Sequence, residues 1–296
     1  MQLVIQSLSK TYDNGVQALK NISLTINSGM FGLLGPNGAG KSSLMRTIST
    51  LQEPDSGSIT LGPIDVLKQK EAVRRTLGYL PQEFGVYPKI SADDLLNHLA
   101  VLKGISNSKE RKELVTSLLH KTNLYNDRKK HLSGYSGGMK QRFGIAQALL
   151  SNPTLIIVDE PTAGLDPAER NRFLNLLGEL SDETIVILST HIVEDVKELC
   201  TDMAIINKGE VLMQGNPLQS LETLKGQIWS KRVERGEAAA YKERLNVISD
   251  KLIAGKPTLH VYAPQQPEEG FEQIVPDLED VYFSYIFGRQ QELATL

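Results

Sequence analysis

Eight consecutive residues, Gly35-Pro36-Asn37-Gly38-Ala39-Gly40-Lys41-Ser42, bring glycines, a lysine and a hydroxyl to one point of the chain. Their spacing, G-x-x-x-x-G-K-[ST], is that of a loop whose backbone N–H groups turn toward a polyphosphate. The lysine suits neutralisation of β- and γ-phosphate charge, and the Ser42 hydroxyl suits Mg²⁺. Such a loop works between a strand and a helix, because the helix start adds free N–H groups and partial positive charge. Both flanks fit. Met30-Phe31-Gly32-Leu33-Leu34 reads as a buried strand, and residues 42–48 have helical spacing with no breaker.

Two carboxylates extend this toward hydrolysis. Thr154-Leu155-Ile156-Ile157-Val158-Asp159-Glu160 is an unbroken apolar run ending in acids, the pattern of a central parallel strand buried on both faces. Ligands of open α/β sheets bind at the carboxyl ends of such strands. Asp159 is expected to reach Mg²⁺ through water, and Glu160 to act as general base on an attacking water. A third signal, Ser136-Gly137-Gly138, precedes Phe143, Ala146 and Leu150 at helical spacing, so it marks another helix start able to take an anion. By itself a Ser-Gly-Gly cap equally suits an ordinary turn. His191 ends the apolar run of residues 184–190. The other histidines, His98, His120, His131 and His260, read as ordinary helix, loop or strand residues.

Periodicity gives the elements that would position these groups. Leu3 and Ile5, then Ile22, Leu24 and Ile26, alternate as strands about an Asp13-Asn14-Gly15 turn, leaving Tyr12 at a strand end. Residues 91–150 read as helical. Ser91-Ala92-Asp93-Asp94 opens like a capping box with Asp in place of Glu. Leu95, Leu96, Leu99 and Leu102 follow, and Gly104 is a stop. Residues 109–121 set Leu114, Leu118 and Leu119 on one face. These helices form a lobe inserted between the glycine loop and the acid-bearing strand. Asp166-Pro167 suits N-cap and N1 of a later helix, with Phe173, Leu176, Leu177 and Leu180 as its apolar face. Composition shifts after Asn216-Pro217. Residues 223–296 hold strands near Ile228-Trp229 and residues 258–261, a helix over 237–245 and an amphipathic segment from Asp277, with no chemistry of their own.

With 296 residues the chain suits one large domain and one small. Its 32 Lys and Arg against 35 Asp and Glu leave a net charge of −3, and no basic stripe points to nucleic acid. Lys129-Lys130 reads as a solvated turn. The single cysteine, Cys200, reads as a small buried thiol and suits a reducing compartment. No run approaches the ~18 apolar residues of a membrane span, and the first residues lack the features of a signal peptide.

The motifs in this order resemble the ATP-binding cassette (ABC) ATPases over residues 1 to about 220. Besides the three already described, Tyr12 matches the aromatic that stacks on adenine, and Gln82 in Gly78-Tyr79-Leu80-Pro81-Gln82 matches the Q-loop. Ala163-Gly164-Leu165-Asp166 resembles the D-loop, and Ser189-Thr190-His191 the switch histidine. Two departures stand out. The signature opens with Tyr135 and closes with Met139 where Leu and Gln are commonest, and the D-loop carries Gly164; both leave the phosphate-facing Ser136, Gly137 and Gly138 intact.

The resemblance implies an α/β fold: a P-loop NTPase core with a mostly parallel central sheet, an antiparallel β subdomain, the helical lobe of about 91–150, and a small α+β C-terminal extension. The boundaries are 1–222 for the ATPase domain and 223–296 for the accessory region. It implies ATP and Mg²⁺ as cofactors. ATP would be held by Tyr12, Gly35, Pro36, Asn37, Gly38, Ala39, Gly40, Lys41, Ser42 and Ser43, and the metal by Ser42, Gln82 and Asp159. Glu160 and His191 are the catalytic pair. Ser136, Gly137, Gly138 and Asp166 would meet the ATP of a second subunit in a head-to-tail homodimer. The expected partner is a separate transmembrane permease, with Phe84 and Tyr87 lining its docking groove. The expected location is the cytoplasmic face of the inner membrane, and the signature variant and C-terminal extension favour export. The alternative is a soluble ABC ATPase acting on ribosomes or nucleic acid. Against it, fewer than a hundred positions separate Ser42 from Ser136, too few for a long coiled coil, and no second P-loop follows.

Overall fold

The computed structural model describes residues 1–82, 85, 89–180 and 183–288. It divides into two compact units, Met1–Thr201 with Ile206–Val211, and Asp202–Ile205 with Leu212 onward.

The first unit opens with strands β1 (Gln2–Thr11), β2 (Gln17–Asn27) and β3 (Gly29–Leu34), then helix α1 (Lys41–Ile48). Strands β4 (Ser56–Leu61) and β5 (Ile64–Asp65), helix α2 (Lys70–Thr76) and strand β6 (Leu77–Leu80) follow. Helices α3 (Ala92–Leu102), α4 (Ser108–Lys121) and α5 (Gly137–Ala148) make the lobe. Strand β7 (Leu155–Asp159), helix α6 (Pro167–Gly178), strand β8 (Ile185–Thr190) and helix α7 (Val193–Leu199) return to the core.

Two sheets organise this unit. The antiparallel one runs β2-β1-β4-β5, and the alternation read from the sequence is its buried face: Leu3, Ile5, Ile22, Leu24 and Ile26 are all buried. The parallel one sets β3 beside β8, β8 beside β7 and β7 beside β6. Their continuous apolar runs are buried along their length, as both faces of a parallel sheet require. Register fixes the chemistry. Leu34 pairs with Thr190, and Asp159 with Ser189, so the glycine loop, the Asp-Glu turn and His191 leave adjacent strand ends on one edge.

The lobe has its own core, built around Leu96, Leu119, Leu132 and Phe143; each such side chain contributes about 1.5–3 kcal/mol on burial. Its first helix is capped as expected at Ser91, whose Oγ accepts from Asp94 N. The reciprocal half differs from a capping box: the Ser91 hydroxyl donates to the Asp94 carboxylate at 2.5 Å. Gly104, at φ 92°, ends the turn that follows. Leu180, assigned to the apolar face of α6, lies beyond its end and is half-buried. Cys200 is buried at the C-cap of α7.

Strands β9 (Asp202–Asn207) and β10 (Glu210–Gly215) contribute to both units. The second unit continues with helix α8 (Pro217–Glu222), strand β11 (Ile228–Arg232), helix α9 (Ala238–Arg244), strands β12 (Val247–Ile253), β13 (Lys256–Tyr262) and β14 (Glu272–Gln273), and helix α10 (Leu278–Phe283). Its sheet runs β12-β13-β11-β14. A full capping box between Asp277 and Asp280 starts α10, and the Asp280 carboxylate also meets His260 Nδ1 at 2.6 Å. His260 is thus a strand residue with a structural partner. Among the described residues no helix is long and apolar enough to cross a membrane.

Candidate functional site

The glycine loop is held open by close backbone approaches. Gly40 N-caps α1 at φ 109°, and a Cβ there would stand 2.5 Å from Ala18 O. A Cβ on Gly35 would stand 2.3 Å from Ile206 O. Only glycine fits either place. The turn after β9 clasps the same loop, Gly209 N donating to Ala39 O at 2.9 Å. The result is a cavity of about 720 Å³ lined by residues 36–43, Tyr12, Gln82, Glu160 and Lys208, among others. A larger cavity of about 1250 Å³, bordered by Arg74, Arg75, Lys103 and Lys121, touches none of the residues expected to bind ATP or metal or to act in catalysis. Size therefore does not locate the chemistry.

Lys41, Gln82 and Glu160 line the smaller cavity, and His191 joins them through Glu160. Lys41, only 5% exposed, donates to Gly35 O at 2.7 Å and Pro36 O at 3.2 Å, with Glu160 Oε1 at 3.4 Å. Glu160 Oε2 lies 3.2 Å from His191 Nδ1 and accepts from Gln82 Nε2 at 3.4 Å. The His191 side chain is 45% exposed, so the cluster is buried on the protein side and open on the other.

The backbone aims Glu160. Strand β7 stops at Asp159, and Glu160 takes φ 47°, a left-handed conformation that costs a non-glycine residue on the order of 1–3 kcal/mol. Its N–H is tied to Ser189 O at 2.9 Å. The sequence pattern carried the strand through Glu160; the turn instead swings the carboxylate off the sheet's pleat toward Lys41 and His191. Asp159 stays in the strand, and its Oδ1 is buried without a hydrogen-bond partner, an orphaned anionic oxygen suited to a hydrated cation. Burial, and then the Asp159 charge, raises the pKa of Tyr79 above the usual phenol value.

Tyr12 reaches the cavity from the end of β1. Its hydroxyl bonds with Ser43 Oγ at 2.9 Å and donates to Gln52 Oε1 at 2.8 Å, fixing the ring beside the loop and occupying the Ser43 hydroxyl. Ser42 is exposed at the start of α1.

The Ser-Gly-Gly segment lies elsewhere. Ser136 N-caps α5, its Oγ accepting from Met139 N at 3.2 Å. Ser136 and Gly137 are exposed and Gly138 is buried. None of these three lines the cavity, and neither does Asp166, which N-caps α6 by accepting from Glu169 N at 2.9 Å. Tyr135 is a packing residue. Burial first, then the Asp127 charge, pushes its phenol up to about 12, and it donates to Asp127 O at 3.1 Å. The sequence reading missed Lys208, a lone lysine in a two-residue turn. It also missed buried Asp195 and the threonines Thr162 and Thr190 that bond to it, because no motif spacing marks groups joined only by the fold.

Comparisons with known proteins identify the family. A family model described as ABC transporter matches residues 19–163. The uncharacterized ABC transporter ATP-binding protein YxlF of Bacillus subtilis is 34% identical, over 96% of this chain and 99% of its own length. The daunorubicin/doxorubicin resistance ATP-binding protein DrrA of Streptomyces peucetius is 33% identical, over 80% of this chain and 72% of its own. A solved dimeric ATP-binding cassette in a post-hydrolysis state with ADP and Pi superposes with a TM-score of 0.66 at 28% identity, covering 72% of this chain and 98% of that one. With a relative matched along nearly its whole length at 34% identity, the chain belongs to the ABC transporter ATP-binding proteins, and it is a transporter subunit that binds and hydrolyses ATP.

Proposed function

We propose that this subunit powers export through a separate transmembrane permease, by ATP-driven closure of a homodimer at the cytoplasmic face of the membrane. The observation that carries the reading is the convergence of Lys41, Gln82 and His191 on one carboxylate, Glu160, within 3.4 Å. On binding ATP, Lys41 would leave the Gly35 and Pro36 carbonyls for β- and γ-phosphate oxygens, and the loop N–H groups would take the remaining charge. Ser42, Asp159 and Gln82 would hold Mg²⁺, which supplies neutralisation of the β- and γ-phosphate oxygens; the unpaired buried Asp159 oxygen fits that role. Glu160 would accept the proton of the attacking water, and His191 would hold Glu160 and the γ-phosphate in line.

Ser136, Gly137, Gly138 and Asp166 lie outside this cavity. Their use on the ATP of a second copy explains why one chain carries two anion-binding helix starts, and the similar solved cassette is a dimer. A hollow of about 410 Å³ lined by Leu51, Arg74, Tyr79, Leu99 and Leu102 offers a dock for a permease helix. Its Leu51 and Leu102 are 59% and 70% exposed, and burying them on a partner is favourable. Phe84 and Tyr87, expected to line the permease groove near Gln82, lie outside the described residues. Export is favoured by the drug-resistance relative.

The test is size-exclusion chromatography of Glu160→Gln with ATP and Mg²⁺. A dimer that forms only with ATP is expected, because binding survives while the base is gone. A monomer at every ATP concentration would overturn the two-subunit reading.

A further inference from the structure

Among the described residues of the first unit the most enclosed charged group is Asp195, on the first turn of α7 and 0% exposed. A carboxylate taken fully out of water is retained only where its partners are well placed. Here they come from three segments. Oδ2 accepts from Thr162 Oγ1 at 2.5 Å and from Thr190 Oγ1 at 3.3 Å. Oδ1 accepts from Arg170 Nε at 2.7 Å, and Arg170 Nη2 stands 2.7 Å from the same oxygen. Arg170 Nη1 reaches on to Glu198 Oε1 at 3.3 Å, and Thr190 Oγ1 accepts from Ile192 N at 2.9 Å.

Each segment carries one part of the hydrolytic site. Thr162 is two residues beyond Glu160, in the turn that gives Glu160 its positive φ. Thr190 immediately precedes His191. Arg170 lies on α6, one turn beyond its cap Asp166. One buried carboxylate thus ties together the turn of the base, the turn of the switch histidine and the helix of the D-loop.

We propose that Asp195 is the positioning residue for hydrolysis, holding Glu160 and His191 at their 3.2 Å contact and linking that contact to α6. The inference rests on the roles given to Glu160 and His191 under Proposed function. Asp195 is fully buried and does not line the glycine-loop cavity. It acts by fixing two turns that would otherwise move independently.

The test uses the full chain. Asp195→Asn keeps the shape and removes the charge that Arg170 meets. Thr162→Val keeps the shape of a buried residue and removes the donor, and Thr162→Ser keeps the hydroxyl. We expect kcat to fall about 10–100-fold in Asp195→Asn and in Thr162→Val, a barrier rise of about 1.4–2.7 kcal/mol. KM for ATP should stay within about threefold, because Lys41 and the glycine loop are untouched. Thr162→Ser should recover most of the loss in Thr162→Val. In a His191→Ala background, Asp195→Asn should add less than about threefold, since residues acting as a unit are not additive. A folded Thr162→Val with kcat within about twofold of the parent would overturn the proposal. So would a full additional loss in the His191→Ala background. ATP-dependent dimerisation of Glu160→Gln is measured alongside: its absence counts against the two-subunit reading, whereas its presence with an intact Thr162→Val kcat counts against Asp195 alone.

Discussion

Replacing Gly138 by alanine separates the signature segment's structural demand from its chemical one. A Cβ on Gly138 would stand 2.4 Å from Glu169 Oε2, 2.9 Å from its Cδ and 3.0 Å from its Cγ. Every one of these atoms belongs to a side chain, so the carboxylate can swing away, unlike the backbone oxygen that Gly35 faces. Swinging it stretches the 2.8 Å pair with Arg172 and the 3.7 Å approach of the buried Arg142. Overpacking of this kind costs about 2 kcal/mol, a Tm lower by about 4–8 °C for a chain of this size. The isolated subunit should keep ATP affinity, because none of the glycine-loop groups moves. ATP-dependent dimerisation in the Glu160→Gln background should fail, because the added methyl also shifts the N–H groups proposed to meet the second copy's γ-phosphate. Differential scanning fluorimetry and chromatography read the two effects. Adding Glu169→Ala removes the obstacle and should return most of the lost Tm. If the double variant melts as low as Gly138→Ala alone, the collision with Glu169 is not the cause and the reasoning fails.

Gly35→Ala is expected to be worse than Gly138→Ala, since its Cβ would meet the Ile206 carbonyl at 2.3 Å; ATP binding by calorimetry should be lost even where the protein folds. Tyr12→Phe removes the bonds to Ser43 and Gln52 but keeps the ring, so ATP affinity should fall by about two- to tenfold, and Tyr12→Ala should lose at least a further tenfold if the ring stacks on adenine. Lys208→Ala should raise KM for ATP severalfold and flatten the salt dependence of binding, read from KM between low and high ionic strength. Asp55 accepts from Lys10 and from Thr11 N at 2.6 Å; the Lys10 hydrogen bond first, then the Thr11 N–H, holds its carboxyl below the usual carboxylate pKa. That stabilisation is fully present above the ordinary value of about 3.9 and is lost as pH falls through the lowered folded value, so exchange protection at the Thr11 amide should drop on acidification and be weak at all pH values in Asp55→Asn.

What could be read from the sequence was what local physics writes locally. The glycine loop is legible because close backbone approach demands glycine at Gly35 and Gly40, and a lysine at one fixed offset is then unmistakable. The parallel strands are legible because burial on two faces leaves no polar position from Leu155 to Val158. Helix starts at Ser91, Ser136 and Asp166 are legible because their caps satisfy N–H groups three residues away. The limits follow from the same physics. Glu160 looks like one more strand residue, since nothing local announces a positive φ; the turn is set by Ser189 O, on a neighbouring strand. Lys208 looks like a solvated turn lysine until Gly209 bonds to Ala39 O.

Asp195 is the sharpest case of that divide. Within its own segment, Val193-Glu194-Asp195-Val196, it is an acid in the first turn of a short helix, a placement that alone would be assigned to the helix dipole. Its burial and its contacts with Thr162 and Arg170, 33 and 25 residues away, arise only when the stretch from Thr162 to Arg170 packs against the stretch from Thr190 to Asp195. A surface acid at that position would contribute a few tenths of a kcal/mol, and its loss would change little. A buried one leaves Arg170 facing a neutral amide in Asp195→Asn, so that variant should cost more than any first-turn acid on an exposed face. Glu194→Gln on the same turn, half exposed and paired with Lys197 at 3.3 Å, is the matched control. The difference between the two should appear in kcat as well as in Tm if α7 holds the catalytic turns, and in Tm alone if it merely fills the core.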